Sequence, residues 1–384
     1  MSNLPLQGIK AVEIADGVAG PYCGRLLAAL GAEVVKIEIP PHGDSSRNTS
    51  PFIKNARGEK QSTLFLHNNT GKQSVSLDWT KNEEFQKLDS ILSNADILIE
   101  DWHLSTRNKF DIDKDFFTSK FPSLIEINIT PFGLTGPYCN WKSAPIVMFG
   151  LGGIMNIIGS PDKEPLMIYG HQTDYLTGMN ACNALLISLW DRDHTNEGTF
   201  LELSSFETMA NLHQAPLDMD GGIRKRRNHR QSSLSARGFP PGVSALATKD
   251  GYITYGGGAQ SIWEQICLMI GRTDLYEGKD YEDITSDENL EDLVEELMQK
   301  WMSEKTRAEV FKEASEDWLL PVGPILSVKE ILDDPQFTHR KVFQTVEHPN
   351  GFTAKFPAPP PIVNGERLTL GMAPSLGEHN KHYL

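Results

Sequence analysis

The chain has 384 residues, of which 23% are charged and 39% hydrophobic, with seven Trp and seventeen Phe; it is too long for one ordinary domain of about 150 residues and too rich in core-forming side chains to be disordered or of low complexity. Thirty-six Lys and Arg against 51 Asp and Glu leave a net charge of −15. The surface as a whole therefore repels nucleic acid and anionic membrane, and a polyanionic ligand needs a local basic pocket.

In chain order, residues 1–8 carry neither a charged leader nor an apolar core segment, and no stretch approaches the roughly 18 apolar residues of a bilayer span. Residues 9–14 are a short apolar run, 16–21 (Asp-Gly-Val-Ala-Gly-Pro) a turn, 22–30 have helical apolar spacing, and 33–37 are largely β-branched after Gly31. That is a strand–helix–strand unit. Apolar runs at 96–100 and 124–129 each follow a helix-like stretch, at 83–93 and 116–120. The alternation predicts an α/β fold with a mostly parallel sheet and ligands at the carboxyl ends of its strands. Residues 178–190 space small and apolar side chains as a closely packed helix does, and 199–203 read as a further strand. The first unit is thus expected to span 1–217. Residues 218–242 mix Gly, Pro, Ser and basic residues as a linker does. A strand at 251–255 and amphipathic helices at 262–270, 290–302 and 307–316 predict a smaller α+β domain over 243–322, followed by an irregular arm over 323–384.

Cys23, Cys139, Cys182 and Cys267 lie far apart with no C-x-x-C pair, which reads as reduced thiols in a cytoplasmic protein. Gly17, Gly20 and Gly24, with Glu38 after the next strand, invite a dinucleotide reading, but the G-x-G-x-x-G spacing is absent and Pro21 suits a helix start. The basic run at 224–230 has no aromatic platform beside it and reads as a solvated linker. His379 and His382 sit at a chain end expected to fray, with no converging carboxylate or thiol, so no metal is predicted. No G-x-S-x-G elbow or cysteine-nucleophile signature is present. Asp174 precedes the 178–190 helix. From the residues alone an ordinary N-cap is the favoured reading, since Asp is among the commonest caps, over an acid set to face unpaired amides and the positive end of a helix dipole.

Several motifs lie in register: Pro5-Leu-Gln-Gly-Ile-Lys-Ala-Val-Glu-Ile, Ala19-Gly-Pro, Leu30-Gly-Ala-Glu-Val-Val-Lys-Ile-Glu, Gly43-Asp-Ser-Ser-Arg, Ser74-Val-Ser-Leu-Asp, Ala95-Asp-Ile-Leu-Ile-Glu, Phe132-Gly-Leu-Thr-Gly-Pro-Tyr, D-x-x-x-G at Asp174, and Gly323-Pro-Ile-Leu-Ser-Val-Lys-Glu-Ile-Leu. In order and spacing they resemble the family III CoA-transferases, the formyl-CoA and carnitine CoA-transferase type, over essentially the full length. The resemblance implies a Rossmann-like large domain built from both chain ends, an inserted smaller α+β domain, and an interlocked homodimer. It implies that Asp174 attacks an acyl-CoA thioester to give a mixed anhydride, that CoA returns to form an aspartyl-CoA thioester, and that an acceptor carboxylic acid takes the CoA. An ionised carboxylate needs no base, and helix amides stabilise an oxyanion, so the chemistry is reasonable for this residue in this place. The CoA-binding positions implied are Val18, Ala19, Leu77, Asp101, Trp102, His103, Lys109 and Lys142, with the two lysines toward phosphate and Trp102 toward adenine. No cofactor beyond CoA itself, no metal and no nucleic-acid or membrane partner is implied.

Four departures matter. Val18 stands where formyl-CoA transferases have Gln, and residues 237–242 (Arg-Gly-Phe-Pro-Pro-Gly) replace their tetraglycine loop, which disfavours a formyl/oxalate pair. Ala144 stands where the related α-methylacyl-CoA racemases need a proton-carrying His, and Pro145 where most relatives have an acid. The alternatives to a CoA-transferase are a racemase-like enzyme and a weakened CoA-binding homologue. Selectivity is expected in the small domain and the loop at 239–243.

Overall fold

The computed structural model describes residues 4–159, 163–213, 243–256, 260–279, 288–349, 351–369 and 371–384. The 218–242 linker with its basic run, and the 239–242 loop residues, lie outside that set. The strands of the first part are β1 (Lys10–Ile14), β2 (Glu33–Glu38), a hairpin of β3 (Phe52–Lys54) and β4 (Lys60–Ser62), then β5 (Gln73–Ser76), β6 (Ile97–Glu100), β7 (Ile125–Thr130) and β8 (Thr199–Ser204). Apart from the hairpin they form one parallel sheet, in order β5-β2-β1-β6-β7-β8. Counting only its own strands, this is the 3-2-1-4-5-6 order of doubly wound sheets, whose ligand crevice lies at the switch point, here between β1 and β6.

Helices cover both faces, which is why β6 and β7 are buried at every residue, the polar Glu100, Glu126 and Asn128 included. The helices are α1 (Ala19–Ala29), α2 (Thr63–Asn68), α3 (Asn82–Leu92), α4 (Leu104–Lys109), α5 (Phe116–Lys120), α6 (Pro145–Leu151) and α7 (Gln172–Thr195). On one face Cys23 and Leu27 of α1 and Ala181, Cys182 and Leu185 of α7 pack against Ile97, Ile99, Ile125 and Ile127. On the other, Leu88 and Leu92 of α3 join Trp79, Trp102 and Phe117. Two glycines make the close approaches possible. A Cβ on Gly20 would lie 2.3 Å from Ala15 Cβ, and one on Gly178 would lie 2.4 Å from the Ala19 carbonyl oxygen. Gly20 thus serves helix–strand packing rather than a phosphate cradle.

By its contacts the chain divides into two compact units, one of residues 1–152, 168–212 and 332–384 and one of 153–167 and 213–331. The second has an antiparallel sheet of β9 (Val243–Thr248), β10 (Gly251–Gly256) and β11 (Val322–Pro324), with β10 central. Trp263, Ile266, Val294, Met298 and Met302 form its own core.

The C-terminal arm is more ordered than the sequence suggests. It holds an antiparallel hairpin, β12 (Phe343–Glu347) with β13 (Thr353–Pro357). Its end does not fray: His379 Nδ1 accepts from the Ser74 amide at 3.2 Å and Asn380 Oδ1 from the Ser76 amide at 2.8 Å. These bonds cover the β5 edge, which would otherwise be left with unpaired amides. Among the described residues no helix is long and apolar enough to cross a membrane.

Candidate active site

The loops after β1 and β6 meet at the switch point. The Asp16 amide donates to Asp101 Oδ2 at 2.7 Å, and Asp16 Oδ1 accepts from the Ser45 amide at 2.6 Å. Beside this joint is an open cavity of about 490 Å³ lined by Asp16, Trp79, Thr80, Asp101, Trp102, His103, Thr106, Lys109 and Phe110. It is large enough for a nucleotide-sized ligand. Burial, aided by the Asp16 carboxylate, pushes Asp101 up to about 7. Asp16 is raised by burial first and by Asp44 second. Near neutrality Asp101 is therefore only partly ionised, so it repels a phosphate-bearing ligand less than a full charge would and can hydrogen-bond its hydroxyl or amino groups. Lys109, at the end of α4, supplies the fixed positive charge.

A buried network sets the geometry of this end of the sheet. Glu13 on β1 accepts from Lys36 Nζ at 2.8 Å and Lys72 Nζ at 2.7 Å, and Lys36 also pairs with Asp44 at 2.7 Å. Burial alone would lower Lys36, but Asp44, Glu13 and Glu38 outweigh it and hold the ammonium above its usual range. Glu100, the last residue of β6, accepts from the Trp102 amide at 2.6 Å, while Asn128 Nδ2 bonds both Glu100 Oε1 at 2.7 Å and the Trp102 carbonyl at 2.9 Å. These bonds fix the turn that presents residues 101–103.

Asp101, Trp102, His103 and Lys109 thus come together. Trp102 is 4% exposed and its ring lies 4.7 Å from that of Trp79, so the pair backs the cavity as one aromatic wall. Val18 is the N-cap residue of α1 and Ala19 its first residue; Leu77 is buried after β5; Lys142 is exposed in the loop before α6. None of these four lines the cavity. Asp16, Trp79 and Phe110 were not singled out in the sequence. Asp16 had a signal, its place at the carboxyl end of the first strand.

Asp174 is not an N-cap. The helix begins earlier than its apolar spacing suggests, at Gln172, with His171 at the N-cap position and Asp174 in the first turn. Gly178, one turn later on the same face, touches Ala19, so the crossing of α7 over α1 carries Asp174 toward the start of α1 and residues 18–19. Next to it Tyr175 packs edge-on to Tyr22 of α1 at 4.8 Å and near His67 of α2 at 6.0 Å, which pins the first turn. The Asp174 side chain is 26% exposed, and its Oδ2 lies 3.0 Å from His171 Nδ1. Ala144 and Pro145 form the start of α6, Ala144 as N-cap residue and Pro145 at the first turn, where a missing N–H costs nothing.

A family model described as CoA-transferase family III matches residues 6–380. The chain belongs to the family III CoA-transferases. It is 27% identical to the succinate–glutarate CoA-transferase of Agrobacterium fabrum, over 99% of this chain and 95% of that protein. It is 29% identical to the succinyl-CoA:mesaconate CoA-transferase of Haloarcula hispanica, again over 99% and 95%. The crystal structure of a CAIB/BAIF family protein from Brucella suis superposes with a TM-score of 0.82 at 28% identity, covering 99% of this chain and 98% of that one. This CoA-transferase therefore moves CoA between an acyl-CoA and a carboxylate.

Proposed function

We propose that this CoA-transferase takes CoA from succinyl-CoA to a second short dicarboxylate through acyl intermediates on Asp174. The observation that carries the reading is the α7–α1 crossing, where Gly178 lies against Ala19 and the partly exposed Asp174 carboxylate stands one helical turn before that contact. The relatives' names, succinate–glutarate and succinyl-CoA:mesaconate CoA-transferase, support the donor. The cavity at the switch point would take the nucleotide end of CoA, with Lys109 toward phosphate and the Trp79–Trp102 wall toward adenine; Val18 and Ala19 would border the thioester, and Leu77 and Lys142 are kept as binding positions on the family pattern alone. Asp174 needs no metal or redox partner for such a step, since its charge supplies the nucleophile. The absence of a histidine at 144 removes the second proton carrier of racemase chemistry.

We extend the proposal to an interlocked homodimer of Rossmann-like subunits with the smaller domain inserted. The long α7 exposes Ile187 by 68% and Trp190 by 66%, an apolar face that a second copy would cover. A cytoplasmic site fits the free thiols, three of them buried.

The test is isotope exchange. With succinyl-CoA and labelled glutarate, label should enter glutaryl-CoA, and Asp174→Ala should reduce this by at least about 10⁴-fold, as loss of a nucleophile does, while CoA binding persists. No exchange with any dicarboxylate, or full exchange with a long-chain acyl-CoA only, would refute the donor reading.

A further inference from the structure

The two oxygens of Asp174 have different surroundings. Oδ2 is hydrogen-bonded to His171 Nδ1 at 3.0 Å, and no side-chain bond among the described residues reaches Oδ1. A carboxylate only accepts, so the shared hydrogen belongs to Nδ1. The imidazole is not a loose neighbour, because the His171 carbonyl accepts the Tyr175 amide at 2.9 Å, tying its backbone to the same helical turn as the nucleophile. At 36% and 26% exposure the two side chains are open to a substrate from solvent.

Resting on the reading of Asp174 as nucleophile, we propose that His171 is a second catalytic residue: its Nδ1–H leaves Oδ1 as the attacking atom and stabilises the oxyanion that forms on Oδ2. In the first step Oδ1 bonds to the thioester carbonyl carbon and the C–S bond breaks, giving the mixed anhydride and CoA thiolate. The thiolate then adds to Asp174 Cγ. The π electrons of Cγ=Oδ2 move onto Oδ2 and return, expelling the donor's carboxylate and leaving the aspartyl-CoA thioester. When the acceptor carboxylate adds to the same carbon, Oδ2 is charged again and CoA thiolate departs. The thiolate finally attacks the acceptor's own carbonyl, the anhydride C–O bond breaks, acyl-CoA leaves, and Asp174 is a carboxylate once more. No proton changes hands in any step. A hydrogen bond already in place on the oxygen that becomes negative needs no reorganisation at that moment.

The first attack gains little from His171, because the bond also stabilises the resting carboxylate; the two attacks on Cγ gain most. Among the described residues Asp174 is the only charged group that acts on the imidazole. Its hydrogen bond, against partial burial, raises His171 above the usual histidine range. The neutral Nδ1–H tautomer makes the same bond as the imidazolium, so donation persists on either side of that titration.

The experiment compares wild type, His171→Leu, His171→Asn and Asp174→Asn with succinyl-CoA and glutarate as the probe pair. An Asn amide N–H falls near the place of Nδ1. Loss of one oxyanion donor predicts that His171→Leu lowers kcat about 100-fold with KM for succinyl-CoA within about threefold, and that His171→Asn recovers at least about tenfold of the loss. If His171→Leu melts early, His171→Ala takes its place. An inert wild type, or an active Asp174→Asn, overturns the reading of the site and this inference with it. An active wild type and inert Asp174→Asn, with His171→Leu at full kcat or His171→Asn no better than His171→Leu, overturn the inference alone.

Discussion

Glu100, Arg107 and Glu126 place two buried carboxylates on one guanidinium, with Arg107 Nη1 2.6 Å from Glu100 and 2.8 Å from Glu126. One positive charge cannot balance two negative ones away from water, so burial pushes Glu100 up to about 8 and Glu126 up to about 7. Both Glu100 oxygens accept hydrogen bonds, whereas Oε2 of Glu126 has no partner, so a proton on Glu126 displaces no bond, and neutralising Glu126 removes the like charge that helps to raise Glu100. Both folded values lie above the ordinary 4.5, so between these values the pair holds protons that the unfolded chain has lost; the pair's contribution to stability is greatest at low pH and falls as pH rises from about 4.5 through 7–8. Glu126→Gln supplies the neutral partner permanently. Denaturant unfolding at pH 6 and pH 8.5 should show a smaller loss for the variant than for wild type; equal losses would refute the shared proton. At this scale the sequence was informative only through the family pattern. It brought out Asp101, Trp102, His103 and Lys109, which line one cavity, but not His171, whose significance depends on a side-chain rotamer that spacing does not encode.

Element boundaries were legible where apolar spacing is regular and lost where it is not. The first turn of α7, Gln172 to Tyr175, has no apolar stripe, so the helix was expected to begin near Gly178. β5 carries one aliphatic residue, Val75, in Gln73–Ser76; it is a strand because β2 pairs with it and the C-terminal arm covers its far edge, both long-range facts. The β12–β13 hairpin was hidden by the Pro-rich run that follows it. Gly178 shows how one position couples element to site. Gly178→Ala puts a methyl 2.4 Å from the Ala19 oxygen, so α7 must move away from α1. We expect a loss of about 1–3 kcal/mol, as overpacking causes, seen as a lower Tm, with kcat reduced more than KM because Asp174 rides on that crossing. Unchanged melting and unchanged kcat would show that the helix pair tolerates displacement.

For the molecule as a whole, alternation of apolar runs and helical spacing was enough to predict the parallel α/β sheet, while the 3-2-1-4-5-6 strand order was not, because it depends on which distant strands pair. The proposed homodimer is a claim at this scale: light scattering should give twice 42.8 kDa, and Ile187→Glu with Trp190→Glu should leave single chains, whereas a wild-type mass of one chain would refute the interlocked pair. The account as a whole rests on a covalent acyl group at Asp174. Its most direct test is to mix the enzyme with succinyl-CoA, quench with borohydride during turnover and sequence the digest by mass spectrometry. The account predicts reduction of the side chain at Asp174 alone, absent in Asp174→Asn; an intact Asp174 in an enzyme that is turning over, or an adduct on another residue, would contradict it.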